Sequence, residues 1–223
     1  HNVVSTVFIE CASMYRIVGP AELRPVGETE FVNGVAAMSA SGLYGPTRIA
    51  AAIIGFADLM LGDGAAAVLE AHIAAGGGRF RGIRHAASWD PSPDVRNSHT
   101  NPSQGMLADA TFRAGFARLA PLNMSFEGWC YHHQIPEMTA LARAFPDTTI
   151  ILNHFGGPLG VGPYAGKRDD CLPQWRRDIE ELATCPNVVA KLGGINMRTN
   201  GYDWDKRDKA PSSEELAAAT RVY

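Results

Sequence analysis

Six short apolar or β-branched runs recur along the chain, at 5–11 (STVFIEC), 48–58 (RIAAAIIGFAD), 80–88 (FRGIRHAAS), 124–132 (MSFEGWCYH), 148–154 (TTIILNH) and 187–193 (NVVAKLG). Each ends in polar residues, and the near-continuous hydrophobicity within a run predicts a strand covered on both faces. Between the runs the period becomes helical. Met138, Leu141, Ala142 and Phe145 stand at i, i+3, i+4 and i+7, Leu172, Trp175, Ile179 and Leu182 form a second stripe, and Phe112, Phe116 and Leu119 a third. Asp63 precedes an alanine-rich stretch as its expected N-cap, and Gly76-Gly77-Gly78 closes that helix before the next strand. Alternating strands and helices predict βα units around a parallel sheet. There is no internal repeat, linker or composition shift, so one domain is expected over residues 1–223.

Composition narrows the partners. With 46% hydrophobic and 19% charged residues the chain can bury a sizeable core, and a net charge of −3 without any block of like charge leaves neither a nucleic-acid footprint nor a membrane-binding stripe. The longest strongly apolar run, 49–57, is about half of the ~20 residues that cross a bilayer. Small-molecule partners are expected, and a homo-oligomer is left open. Cys11, Cys130, Cys171 and Cys185 are scattered without metal-binding or disulfide spacing, which fits a reducing, cytoplasmic setting. The chain opens on His1 rather than methionine and stops at Tyr223 inside a helical pattern, so it is expected to be part of a longer protein.

Several chemistries lack their motifs. No Gly-x-Gly-x-x-Gly follows the first run, Gly166-Lys167 has Val161 and Arg168 where a phosphate loop needs Gly and Ser or Thr, and neither Gly-x-Ser-x-Gly nor His-Glu-x-x-His occurs. What remains is a set of polar residues at the carboxyl ends of the runs, where barrel enzymes keep their chemistry. His154 follows TTIILN and precedes Gly-Gly-Pro, so its ring is expected at the strand end beside a backbone that a ligand can approach; the alternative is a histidine bonded to a loop carbonyl. Arg84 is placed to hold a substrate carboxylate, or to pair with an acid as structure. Trp129 and Tyr131 stand as pocket wall. Of His132 and His133 only one can face the mouth, because adjacent strand residues point to opposite sides. His85 is expected in the helix layer and His72 as a packing histidine, while His99 is expected to be solvated. Lys191 is either a ligand-binding amine or half of an ion pair, and Glu10 is either its partner or a mouth residue. The long Gly- and Pro-rich loops 89–106 and 156–170 both leave strand ends and are expected to line one mouth, with Lys167 or Arg168 reaching an anionic substrate.

The segments FVNGVAAMSASGLYGPTRI, AAGGGRFRGIRHAASWD, FEGWCYHHQIPEMTALARAFPDTTIILNHFGGPLG and CPNVVAKLGG together resemble the amidohydrolase superfamily, in the amidohydrolase-2 group that includes lactonases acting on pyrone dicarboxylate or sugar lactones. Asn-His-x-Gly-Gly-Pro is the most specific element. The resemblance implies a (β/α)8 TIM barrel of which about six of eight strands are readable, the first and last lying outside this chain. It also implies a hydrolase in which activated water attacks the carbonyl of a lactone, amide or related cyclic carboxylate. His154 would be catalytic, with Arg84, Tyr131, Trp129, Lys191 and Arg168 around the substrate. In the family water is activated by a divalent metal such as zinc or by a last-strand Asp, and His132 and His154 are the candidates for a metal ligand here; a metal-independent site is the other course. The family's His-x-His pair and last-strand Asp are absent from the sequence. A decarboxylase on the same barrel, and a non-catalytic barrel fragment serving assembly, are the alternative readings.

Overall fold

Residues 2–223 are described in the computed structural model, and among them six strands form. They are β1 (Ser5–Ile9), β2 (Arg48–Gly55), β3 (Phe80–Ile83), β4 (Ser125–Gly128), β5 (Ile150–Leu152) and β6 (Val188–Ala190), one for each apolar run. The strands end before the polar tails, although Glu10, Arg84 and Lys191 still donate their N–H groups to the Ile54, Gly55 and Leu152 carbonyls of the neighbouring strands. Strand order follows chain order, and the pairings are parallel, with Ile9 opposite Ile54, Gly55 opposite Ile83, Ile83 opposite Phe126 and Ile150 opposite Val188. This is the (β/α) repeat that the alternating pattern predicts. Coverage on both faces fails at the two outermost strands, where Val7 is 56% and Val189 53% exposed; among the described residues no further strand flanks β1 or β6.

By their contacts the residues fall into two compact units. The first comprises residues up to 85 together with 108–127 and 147–149. It holds α1 (Val26–Ala40), α2 (Ala65–Ala75) and α3 (Ala110–Phe116) with the strands β1 to β3. Its core contains Ile53, Leu69 and Ile83, with Phe112, Phe116 and Phe126 meeting as tilted and edge-on rings 5.1–6.2 Å apart. Such geometry adds to burial because the electropositive ring edge meets the electronegative face. Asp63 does not cap α2: Gly64 occupies the cap position, Asp63 lies in the 3-10 turn before it and pairs with Arg118 at 3.1 Å. Asp58 supplies the cap of that turn instead, accepting from the Met60 N–H.

The second unit comprises 86–107, 128–146 and 150–223. It holds β5, β6, α4 (Ile135–Ala144), α5 (Arg168–Leu182) and α6 (Ser213–Thr220). Ile135, Met138, Leu141 and Ala142 of α4 are fully buried, as the 3.6-residue stripe requires, and Asn187 ties the start of β6 to the α4 carboxyl end by donating to the carbonyls of Ala142 and Phe145. The capping box of Ser212 and Glu215 starts α6. Among the described residues no helix is long and apolar enough to cross a membrane.

His72 shows the packing role expected of it. Its fully buried ring takes the Thr29 hydroxyl at Nδ1 (2.8 Å), donates from Nε2 to the Phe56 carbonyl (2.9 Å) and stacks on Phe80 at 4.8 Å. The neutral ring with its proton on Nε2 satisfies both nitrogens, and burial lowers its pKa from 6.5 to about 4. Below pH 6.5 the unfolded chain takes up a proton that the folded ring refuses, so stability falls as pH drops from 6.5 towards 4, by up to about 3 kcal/mol. Urea unfolding of the full-length protein at pH 7 and pH 4.5 should show this loss, and His72→Gln should flatten it; an unchanged slope in the variant would refute the assignment.

Candidate active site

In the first unit the end of β3 carries Arg84 and His85. Arg84 donates from Nε to the Glu10 carboxylate at 2.7 Å and from Nη2 to the Glu10 carbonyl at 2.6 Å, which is the acid pairing weighed against a substrate role. Glu10 is therefore held by Arg84. His85 turns into the helix layer as expected, where Nδ1 accepts from the Leu59 N–H and the ring meets Phe56 and Phe112.

In the second unit β4 ends at Gly128 and the chain passes through Trp129 and Tyr131 into a 3-10 turn, His132–Gln134. The fully folded position of this turn is set by Gln134, only 2% exposed. Its Oε1 accepts from the N–H groups of Trp89 and Tyr131, both at 3.0 Å, and its Nε2 donates to the Ala87 carbonyl at 2.9 Å. The Tyr131 hydroxyl donates to the Arg96 carbonyl, and its ring packs with Val95 and Leu159. Burial pushes the Tyr131 phenol up, so it is a donor throughout the ordinary pH range.

His132 is buried, accepts weakly from the Leu159 N–H at 3.4 Å and is lowered to about 4, first by burial and then by neighbouring His133. It is neutral at pH 7. His133 is exposed, with Nε2 donating to the Trp89 carbonyl and its ring stacked on Tyr164. Tyr164 in turn donates to Asp90 at 2.8 Å, and burial with this bond pushes its phenol up to about 12. Asp90 also accepts from the Ser92 N–H. Loops 89–106 and 156–170 are thereby joined side chain to side chain, as two loops leaving the same edge of a parallel sheet should be.

His154 begins a turn in which the backbone is left-handed at four consecutive residues, His154 (φ 52°), Phe155 (54°), Gly156 (68°) and Gly157 (52°). The side-chain alternation of β5 therefore stops at Asn153. Non-glycine residues in this region are held there by their surroundings, here by the Trp175 indole donating to the Phe155 carbonyl at 2.8 Å. The half-buried His154 ring stands edge-on to Trp129, centroids 4.8 Å apart. Gly194 lies close to the ring: a Cβ there would fall 1.9 Å from Nδ1. At Gly157 a Cβ would meet the Cys130 carbonyl at 2.7 Å and the Trp129 ring at 2.9 Å.

A cleft of about 550 Å³ opens in this unit, lined by Trp129, Tyr131, Val161 and Met197 with Arg96, His99 and the 197–206 segment. Of the residues predicted from sequence, Trp129 and Tyr131 line it, whereas His154 packs against Trp129 and is not among the lining residues. Lys191 follows β6 directly, half-buried, its N–H bonded to the Leu152 carbonyl. Arg168 is engaged within the unit: it donates to the Asn200 carbonyl and lies 3.7 Å over the Tyr202 ring. Neither is a lining residue. Arg96, Gln134 and 197–206 went unread in the sequence, since they sit in turns without periodicity. Among the described residues no three His, Cys, Asp or Glu side chains gather as a set able to hold a metal, so the residues present do not fit a metal centre and no step is derived through one.

The family model of the amidohydrolases matches residues 19–221, and the chain belongs to that family. An uncharacterised protein, y4mH, of Sinorhizobium fredii is 31% identical over 206 residues, 92% of this chain and 61% of the relative. An L-fucono-1,5-lactonase of Burkholderia multivorans is 29% identical over 145 residues, 65% of this chain and 44% of that protein. A crystal structure of an amidohydrolase from Burkholderia multivorans with bound zinc aligns with a TM-score of 0.61 at 27% identity, over 87% of this chain and 57% of that one. The chain thus spans 61% and 44% of the two curated relatives' lengths. The fold is the (β/α)8 barrel of this family, with six of its strands in the described residues.

The Asp90–Tyr164 bond is open to direct test. Asp90 is 2% exposed, so Tyr164→Phe leaves a buried carboxylate one donor short, and the full-length protein should lose about 1.5–3 kcal/mol in denaturant unfolding, with faster amide exchange in 89–106. A loss below about 0.5 kcal/mol would show that the bond does not hold the loops.

Proposed function

We propose that the full-length protein is a hydrolase that opens a lactone or a related cyclic carboxylate with water. The observation carrying this reading is the cleft faced by Trp129 and Tyr131, with the strand-end His154 packed edge-on against Trp129. Family membership and the lactonase-named relative support the reaction class. In the reaction the water oxygen bonds to the carbonyl carbon, the ring C–O bond breaks, and a water proton ends on the released ring oxygen. His154 is assigned to the carbonyl oxygen, where an N–H would stabilise the negative charge that develops as water adds. Trp129 and Tyr131 pack the ring of the substrate and exclude bulk water. The four free cysteines support a reducing, cytoplasmic setting.

A panel of sugar lactones, cyclic amides and L-fucono-1,5-lactone, assayed on the full-length protein with and without added zinc, tests the class. Ring opening without carbon dioxide release is expected; carbon dioxide release would move the assignment to a decarboxylase, and no turnover of any member would overturn it. His154→Ala should lower kcat by about 10²- to 10⁴-fold with an unchanged circular dichroism spectrum. Turnover within a few-fold of the parent would return His154 to a packing role.

A further inference from the structure

The run that carries β6 ends in two glycines with different surroundings. A Cβ built on Gly193 would meet nothing within 4 Å, and the backbone there is not left-handed. Gly194 has φ 77°, and a Cβ on it would crowd Nδ1 of His154 and lie 2.5 Å from the ring Cγ and 2.9 Å from the His154 Cβ. A side chain at 194 is thus opposed twice, by the backbone region and by space, and at 193 by neither. From Gly194 the chain runs into the cleft wall. The Gly194 carbonyl takes the Met197 N–H at 3.4 Å, the Met197 carbonyl takes the Asn200 N–H at 2.9 Å, and Met197, Arg198 and Thr199 line the cleft. The far end of this segment is pinned. The Thr199 carbonyl accepts from the Gly160 N–H at 2.9 Å, Asn200, 1% exposed, donates from Nδ2 to the Pro158 carbonyl at 2.6 Å, and the Gly160 and Gly201 backbones approach so closely that neither has room for a side chain. Segments 154–160 and 194–201 therefore meet twice, once at an imidazole and once through backbone bonds.

We propose that Gly194 is a positioning residue, whose missing side chain lets the cleft wall close onto His154 and so sets where the imidazole stands. Its catalytic consequence rests on the hydrolase reading; the contact itself does not. The two ends of the segment decide which side would yield to a methyl group. Retreat of the wall would break buried bonds at Asn200 and Thr199, leaving polar groups unsatisfied, whereas a half-buried imidazole can turn about its side-chain torsions. The ring gives way and the wall keeps its place. A misplaced ring lowers turnover, and an unmoved wall leaves binding of the substrate as it was.

In the full-length protein, Gly194→Ala should lower kcat about 10²-fold on whichever lactone is turned over, with KM within about threefold, while Gly193→Ala leaves both unchanged. The His154 Cε1–Hε1 resonance should move in Gly194→Ala and the Met197 methyl resonance should not. Urea unfolding separates crowding from backbone strain: Gly194→Ala should lower the midpoint, and most of that loss should vanish in a His154→Gly background, where the crowded ring is gone but φ at 194 is still positive. A kcat within a few-fold of the parent, a shifted Met197 signal beside an unshifted His154 signal, or an equal midpoint loss in both backgrounds would overturn the proposal and leave the hydrolase reading standing. A Gly194→Ala protein that folds only when residue 154 is glycine upholds the contact, and one that fails to fold in either background overturns it. If the parent opens no lactone the hydrolase reading falls, and the resonances with the urea cycle alone uphold or overturn the placement of the ring by Gly194.

Discussion

One buried amide fixes the distances on which the candidate site depends. Gln134 closes two acceptor bonds and one donor bond with the backbone of Ala87, Trp89 and Tyr131, and such a side chain cannot slide without leaving several buried peptide groups unsatisfied. Trp129 and Tyr131 keep their places on the cleft wall because of it, and the Tyr131 hydroxyl then reaches the carbonyl of Arg96. The cleft is thus assembled on a polar lattice, with aromatic rings as its facing.

The strands were legible because apolar runs must be buried wherever the fold puts them. The helix α1 was not: its buried face carries Gly27, Glu28, Thr29 and Ser39 beside Val26, Val32 and Ala36, so no apolar stripe marks it. Glu28 is buried there because it accepts from the Cys11 and Ser13 N–H groups, a task visible only after folding. In the site, Trp129, Tyr131 and His154 could be read from their positions after apolar runs. Arg96, which lines the cleft, could not, since it stands in a loop without periodicity.

The histidines show how little the residue type says by itself. His72 and His132 are both lowered to about 4 by burial, yet one is locked between a threonine and a carbonyl in a helix layer and the other sits in a turn between two loops. His85 and His133 each spend a ring nitrogen on a backbone group. His154 packs edge-on against the Trp129 indole and close to the Gly194 backbone.

The left-handed run from His154 to Gly157 has a consequence for the order in which the site is made. A chain leaving β5 on its own favours the extended region, and two adjacent non-glycine residues on the other side of the map cost of order 1–3 kcal/mol each. The bond that holds them comes from Trp175, on α5 and twenty residues further along. Nothing local to Asn-His-Phe can set the imidazole in its final direction. The turn therefore reaches its observed shape only once Trp175 of α5 is in place, and the direction of the imidazole is tied to the integrity of that helix.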